Sequence, residues 1–206
     1  MQNSTGDRNV ARALGAVWRI ESAKIVATMT RYVGDLGLAE DLTQDALADA
    51  LAQWPVTGVP RNGGAWLTAV AKRKAVDAWR RRERRDSRYA DLARDLENKF
   101  DPDALPWDPD HIDNDVLRLV FVACHPVLSR EAQVALTLRV VGGLATHEIA
   151  RALLVPVATV QQRIVRAKKM LAAARVPFEV PDRAEYQARL RSVLEVIYLI
   201  FNEGYA

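Results

Sequence analysis

GAWLTAVAKRKAVDAWRRRERRDSR, residues 64–88, reads as one helix with two unlike faces. At about 100° per residue, Leu67, Ala71, Ala75 and Ala78 gather on one side. Arg73, Lys74, Asp77, Arg80 and Arg81 gather on the other, and Trp66 and Val70 fall inside the basic arc. Cations meet phosphates and a flat indole meets an unstacked base, so this face suits a nucleic acid. A solvated charged helix with a partly buried Trp fits the same residues, and both readings stay open at this point.

The charge around this helix is unevenly spread. The chain has 206 residues and a formal net charge of only +3. Residues 72–88 nevertheless sum to about +6, residues 89–115 to about −7, and residues 151–175 to about +6. Two basic modules therefore flank an acidic connector, which suggests two contacts on one polyanion and a linker that avoids it. Half of the residues are apolar, enough for real cores, so global disorder is not expected.

N-terminal to the basic helix, residues 9–33 carry helical periodicity, with Leu14, Val17, Trp18, Ile20, Ile25, Val26 and Met29 as the apolar stripe. Gly34 and Gly37 bracket a turn. LAEDLTQDALADALAQW follows, with Leu38, Leu42, Leu47 and Leu51 on the expected buried face. Glu40, Asp41, Gln44, Asp45 and Asp49 form its acidic outer face, and acid in the first turn favours the helix start. Pro55 is expected to end this helix and open the loop WPVTGVPRNGG. That loop either lines a pocket at the mouth of the basic helix or merely connects.

C-terminal to it, Pro102, Pro106 and Pro109 stand among aspartates in residues 98–113, the natural domain boundary. A very apolar helix opens near Asn114 and is broken by Pro126. Ser129 is the expected N-cap of the next helix, which Gly142 and Gly143 end. THEIARALL and PVATVQQRIVRAKKMLAAA then form two helices joined by a very short turn, with Thr146 as the expected cap of the first. The pair looks like a helix-turn-helix. On its second helix Val157, Val160, Ile164, Ala167 and Leu171 face inward, while Ala158, Thr159, Gln162, Arg163, Arg166 and Lys169 face out. Small, amide and guanidinium groups suit a major groove, where Arg pairs with guanine and Gln with adenine. A small helical hairpin with a basic surface is the plainer alternative. The tail carries Leu190, Val193, Leu194, Ile197, Tyr198 and Phe201 on one apolar helix, either the start of a further domain or a helix docked back on the body.

No catalytic constellation is expected. His111, His125 and His147 are isolated, and Cys124 has no second thiol at metal spacing, which points to a buried thiol and no metal site. There is no phosphate-binding glycine loop, and no cofactor is expected. A single cysteine, no signal-peptide core and no membrane-length apolar run point to a cytoplasmic chain without a membrane partner.

In this order the parts resemble a bacterial RNA polymerase sigma factor, of the extracytoplasmic-function (ECF) group of the sigma-70 family. Three stretches carry the resemblance: LAEDLTQDALADALAQW, GAWLTAVAKRKAVDAWRRRERR and THEIARALLVPVATVQQRIVRAKKML. It implies an all-α chain of two small helical domains: sigma domain 2, four-helix-type, over 8–90, and sigma domain 4 with its helix-turn-helix over 113–175. An acidic linker over 91–112 joins them, and the start of a C-terminal helical extension occupies 176–206.

The same resemblance implies the roles of residues. Glu40, Asp41, Gln44 and Asp45 would bind core polymerase, with its β′ clamp helices and β flap as partner surfaces. Arg61, Asn62, Trp66, Arg73, Lys74, Asp77, Arg80 and Arg81 would read and hold the melted −10 element. The loop Val56–Gly64 would receive a flipped-out base. Ala158, Thr159, Gln162, Arg163, Arg166 and Lys169 would read the −35 duplex. A separate anti-sigma factor, or the chain's own extension, would regulate it. Two positions depart from the family pattern: Arg73 stands where many members have Asn, and Leu154 where the turn commonly has Gly. The rivals are a dimeric helix-turn-helix repressor and an all-helical enzyme or scaffold with basic faces. The first leaves the acidic helix unexplained; the second predicts no salt-dependent DNA binding.

Overall fold

A computed structural model describes the backbone of residues 3–83 and 109–204, with side chains placed over 10–81 and 114–200. The acidic stretch 91–108 and the end of the basic helix, 84–88, lie outside the described residues. Among those described there are eight helices and no strand. They are α1 (Asn3–Val33), α2 (Leu36–Thr57), α3 (Gly63–Glu83), α4 (Pro109–Ala123), α5 (Arg130–Val140), α6 (Thr146–Ala152), α7 (Val157–Ala173) and α8 (Tyr186–Gly204).

The first three form one group. Gly34, at φ +73°, turns the chain out of α1, and Asp35 caps α2 by accepting from the Leu38 amide at 2.7 Å. No acid lies in the first turn of α2, so the N-cap carboxylate takes the role expected of Glu40 and Asp41. Pro55 does not end α2. It sits in the last turn, where its missing N–H forfeits one bond to the Leu51 carbonyl. The helix stops at Gly58, φ +84°, whose amide donates to the Trp54 carbonyl. Asn62 then caps α3, its Oδ1 accepting from the Ala65 amide at 2.9 Å.

The core of this group is Leu14, Ile25, Met29, Leu42, Trp54 and Leu67 with alanines 39, 46, 50, 71 and 75. The alanines let three helices approach closely. The buried stripe of α2 is Leu36, Ala39, Leu42, Ala46, Ala50 and Trp54, not the leucine series expected: Leu38 and Leu47 are half-buried and Leu51 is exposed. Ile20, placed on the α1 stripe by periodicity, is 70% exposed.

The remaining helices build a second core around Leu119, Phe121, Leu136, Ile149, Val160, Ile164 and Val196. Here α4 begins at Pro109, inside the expected linker, because proline suits a first helical position that has no N–H partner to lose. Ser129 caps α5, as its position in the sequence suggests. Thr146 does not cap α6; that position belongs to Ala145, whose amide donates to Glu148 Oε2 at 2.7 Å. Val157 is exposed rather than inward. The tail helix α8 docks back on the body: Arg189 donates to the Phe121 carbonyl, Ser192 to that of Cys124, and Arg130 pairs with Glu195. The two groups touch. α1 packs on α4 and α5, α2 packs on α7, and Val26, Ala27 and Leu36 are buried within the second core.

Candidate nucleic-acid and polymerase interfaces

On α3, burying Leu67, Ala71 and Ala75 turns the opposite arc outward. Arg73, Asp77, Arg80 and Arg81 are exposed there, and Arg61 is exposed just before the helix. Three of the expected residues have intramolecular work as well. Lys74 pairs with Asp49 of α2 at 2.8 Å. Asn62 holds the start of α3. Trp66 is half-buried, with its ring edge-on to Trp54 at 5.5 Å between centroids. Sequence reasoning missed a neighbouring group: Lys72 lies 5.6 Å from the Tyr32 ring centroid, and Tyr32 packs on Trp79 at 5.5 Å. Burial, then the nearby Arg31 charge, lowers the Lys72 pKa. The helical spacing of 72 and 79 held that signal; the long-range partner Tyr32 did not show in it.

On α7, Val160, Ile164, Ala167 and Leu171 are buried. Ala158, Gln162, Arg166 and Lys169 are exposed, and Thr159 and Arg163 half-exposed, on one continuous arc. Val165, 49% exposed, extends the same arc and was not singled out by pattern. The preceding turn keeps the left-handed geometry despite lacking glycine. Leu154 has φ +51°, its amide donates to the Arg151 carbonyl, and the Val155 amide donates to that of Ala150. These two bonds close the end of α6 in the usual glycine manner. The Leu154 side chain is 92% exposed, so little burial offsets the strain. Leu154→Gly is expected to raise stability by about 1 kcal/mol, read as a higher urea midpoint at unchanged slope; a lower midpoint contradicts this.

The acidic helix divides. Asp41 and Asp45 are exposed and Gln44 half-buried, a usable outer face. Glu40 is not on it. Its side chain is 5% exposed and lies between Arg139 Nε, at 2.5 Å, and Lys168 Nζ. Its expected place on the outer surface is thus corrected: α7 and α5 cover that edge of α2. Burial pushes the Glu40 carboxyl up, but Lys168 and then Arg139 more than offset this, so its pKa is lowered. A lowered folded-state pKa means that this contribution is fully present above the ordinary carboxylate range. It is lost only as pH falls through the lowered value. Neutral pH changes leave it intact.

Elsewhere, Cys124 is buried with Sγ 3.5 Å from Thr137 Oγ1, and burial raises its pKa, the opposite of an activated thiol. Among the described residues no three His, Cys, Asp or Glu side chains gather, and no helix is long and apolar enough to cross a membrane.

Two helical groups, one with an aromatic-basic helix and one with a helix-turn-helix whose outer face is basic, define an all-α protein built to face nucleic acid. Family models agree: "Sigma-70 region 2" matches residues 19–85 and "Sigma-70, region 4" matches residues 118–171. An ECF RNA polymerase sigma-E factor of Haemophilus influenzae is 30% identical over 153 residues, covering 72% of this chain and 79% of that protein. The probable ECF RNA polymerase sigma factor SigI of Mycobacterium tuberculosis is 28% identical over 186 residues, covering 88% of this chain and 62% of its own. An uncharacterized protein of Rhizobium meliloti is 43% identical over 182 residues, covering 88% of this chain and 43% of its own. The chain belongs to the sigma-70 family of RNA polymerase sigma factors, in its ECF group. It spans under half the length of the Rhizobium meliloti protein and under two thirds of SigI.

Proposed function

We propose that this chain binds core RNA polymerase and directs it to promoters, reading a −35 duplex with α7 and opening and reading a −10 element with α3. The observation that carries this is the pair of outward basic arcs, Arg73–Arg81 and Ala158–Lys169, on separate cores within one family-matched chain. Phosphate contacts would set position, and Gln162, Arg163 and Arg166 would read base edges. Val165 offers a methyl surface of the kind that meets thymine. Trp66, Arg61 and Asn62 stand at the start of α3, where the melted strand would enter, and Lys74, Asp77, Arg80 and Arg81 follow it.

Core polymerase would dock on Asp41, Gln44 and Asp45. Bond-making belongs to the polymerase, and the sigma chain contributes binding energy for strand opening. The domains would run over 8–90, 91–112, 113–175 and 176–206, with the helix α4 itself starting at Pro109, ahead of the third of these limits. An anti-sigma factor or a C-terminal extension would then control the chain. Reversing the acidic face tests the docking: D41K/D45K is expected to cut capture of core polymerase about tenfold or more, two charge contacts at about 1 kcal/mol each. Capture equal to the unaltered chain would remove α2 from that interface.

A further inference from the structure

The geometry points to a binding site for a small organic phosphate, of the size and make-up of a nucleoside monophosphate, in the cleft beside the α1–α2 turn. The promoter reading does not require it. The cleft is open to solvent and holds about 380 Å³, near the lower end of the roughly 300–1,000 Å³ of small-molecule sites. That is room for one ring system and a sugar phosphate, and too little for a dinucleotide. One wall comes from the end of α1 and the start of α2. The other comes from the end of α7 and the segment 175–178 that follows it.

Two guanidiniums line the cleft with positive charge to spare. Arg31 Nε meets Asp115 at 3.0 Å, but Arg118 Nη1 meets the same carboxylate at 2.7 Å, so one acid serves two cations. The Arg31 side chain stays 42% exposed. Arg175 has no ion-pair partner among the described residues. It stands at φ +49°, a left-handed position that glycine takes with less strain. Its amide donates to the Ala172 carbonyl and the Val176 amide to that of Leu171, which locks the strained residue in place. An arginine kept where glycine would be easier marks a task for its side chain. Lys168 is a different case: its ammonium is committed to Glu40 and Asp41, and its stem lies beside Gly37. Two arginines on one cleft suit a phosphate, which takes paired N–H donors better than a single point charge.

The rest of the lining selects for more than a bare anion. Leu171, Val176, Pro177 and Phe178 supply an apolar wall, and Val176 and Phe178 pack against the second core, which fixes them. An aromatic ring with a proline beside it suits a flat heterocycle. Asp35 is the only acid lining the cleft among the described residues. Its Oδ1 already accepts from the Leu38 amide at 2.7 Å. A carboxylate here repels a second phosphate group but accepts from sugar hydroxyls. Phosphate at the arginines, hydroxyls at Asp35 and a ring at Phe178 together describe a nucleoside monophosphate. They disfavour a polyphosphate and a plain acyl anion.

Titration calorimetry of the full chain with AMP, GMP and inorganic phosphate tests this. At least one nucleotide is expected to bind with a Kd of about 0.1 mM or tighter, at least ~10-fold tighter than phosphate alone. Arg175→Gly removes the guanidinium while relaxing the left-handed turn, so the fold is kept and affinity should fall about tenfold. Ala172→Trp fills the cleft from an exposed position without changing charge, and should weaken binding at least as much. Arg12→Gln controls for net charge: Arg12 is exposed about 28 Å back along α1, and its loss should leave affinity unchanged. Four results would each overturn the inference: no binding of either nucleotide, phosphate binding as tightly as both, full affinity in the Ala172→Trp chain, or an equal loss in the Arg12→Gln chain.

Discussion

R163A/R166A is expected to raise the Kd for a −35 duplex at least about 30-fold, since each base-edge contact is worth ~1–3 kcal/mol. Both residues project from the arc of α7 that its buried side, Val160, Ile164, Ala167 and Leu171, turns away from the core. Arg166 is exposed and Arg163 half-exposed, so the loss should appear mainly in binding, with only a small change in the unfolding midpoint. The salt dependence separates two ways of losing affinity. If the guanidiniums read guanine, discrimination among −35 sequences collapses. If they hold phosphates, all sequences weaken alike and the salt slope falls by about one per residue removed. Unchanged binding would take α7 out of the interface.

The second large effect is on stability. Trp54→Ala is expected to cost about 3–5 kcal/mol, the range for emptying a core aromatic site. Trp54 is 1% exposed, and it joins α2 to α3 through Trp66. Its neighbours include helices held close by alanines, which cannot collapse into the gap without moving as rigid bodies. Its indole Nε1 is buried without a hydrogen-bond partner. Trp54→Phe should therefore lose much less, because the ring volume largely stays and the unsatisfied N–H goes. Urea unfolding of both variants checks the pair. A loss below about 1.5 kcal/mol for the alanine variant, within reach of ordinary core trimming, would contradict this packing. Trp66 would lose its aromatic partner in the same variant, so opening of the −10 element should suffer even where the fold survives.

What the sequence revealed followed from local periodicity. The buried series Leu67–Ala71–Ala75 and Val160–Ile164–Ala167–Leu171 was legible because one helix turn predicts the next, and the exposed arcs followed by subtraction. Ser129 as a cap was legible for the same reason: its acceptor and the Ala132 amide are three residues apart. Glu40 was misplaced because its partners, Arg139 and Lys168, stand 99 and 128 positions away, where no local pattern reaches. Ile20 and Leu51 failed from the opposite side: apolar residues on a helix need not be buried, and only a neighbouring helix decides. The α2 stripe slipped because small alanines, which carry little hydrophobic signal, make the closest contacts. Pro55 shows that a proline marks the last turn of a helix as readily as its end. Leu154 departs from glycine in sequence but not in backbone: two closing hydrogen bonds at the end of α6 hold the left-handed residue in place.

The acidic helix is not uniform. Glu40 is turned into the chain's own interior, against Arg139 and Lys168, while Asp41 and Asp45 stay exposed. The distinction matters for mutagenesis, because a Glu40 variant is expected to lower stability by leaving buried cations unpaired, whereas Asp45 variants should leave stability nearly unchanged.

Promoter-directed initiation is read out by run-off transcription. Core RNA polymerase is supplied with a pool of promoter fragments, with and without this chain. New transcripts with defined start points, from fragments sharing one −35 and one −10 element, are expected only when the chain is added. A transcript pattern identical with and without the chain, under conditions where a known sigma factor redirects the same polymerase, would contradict it.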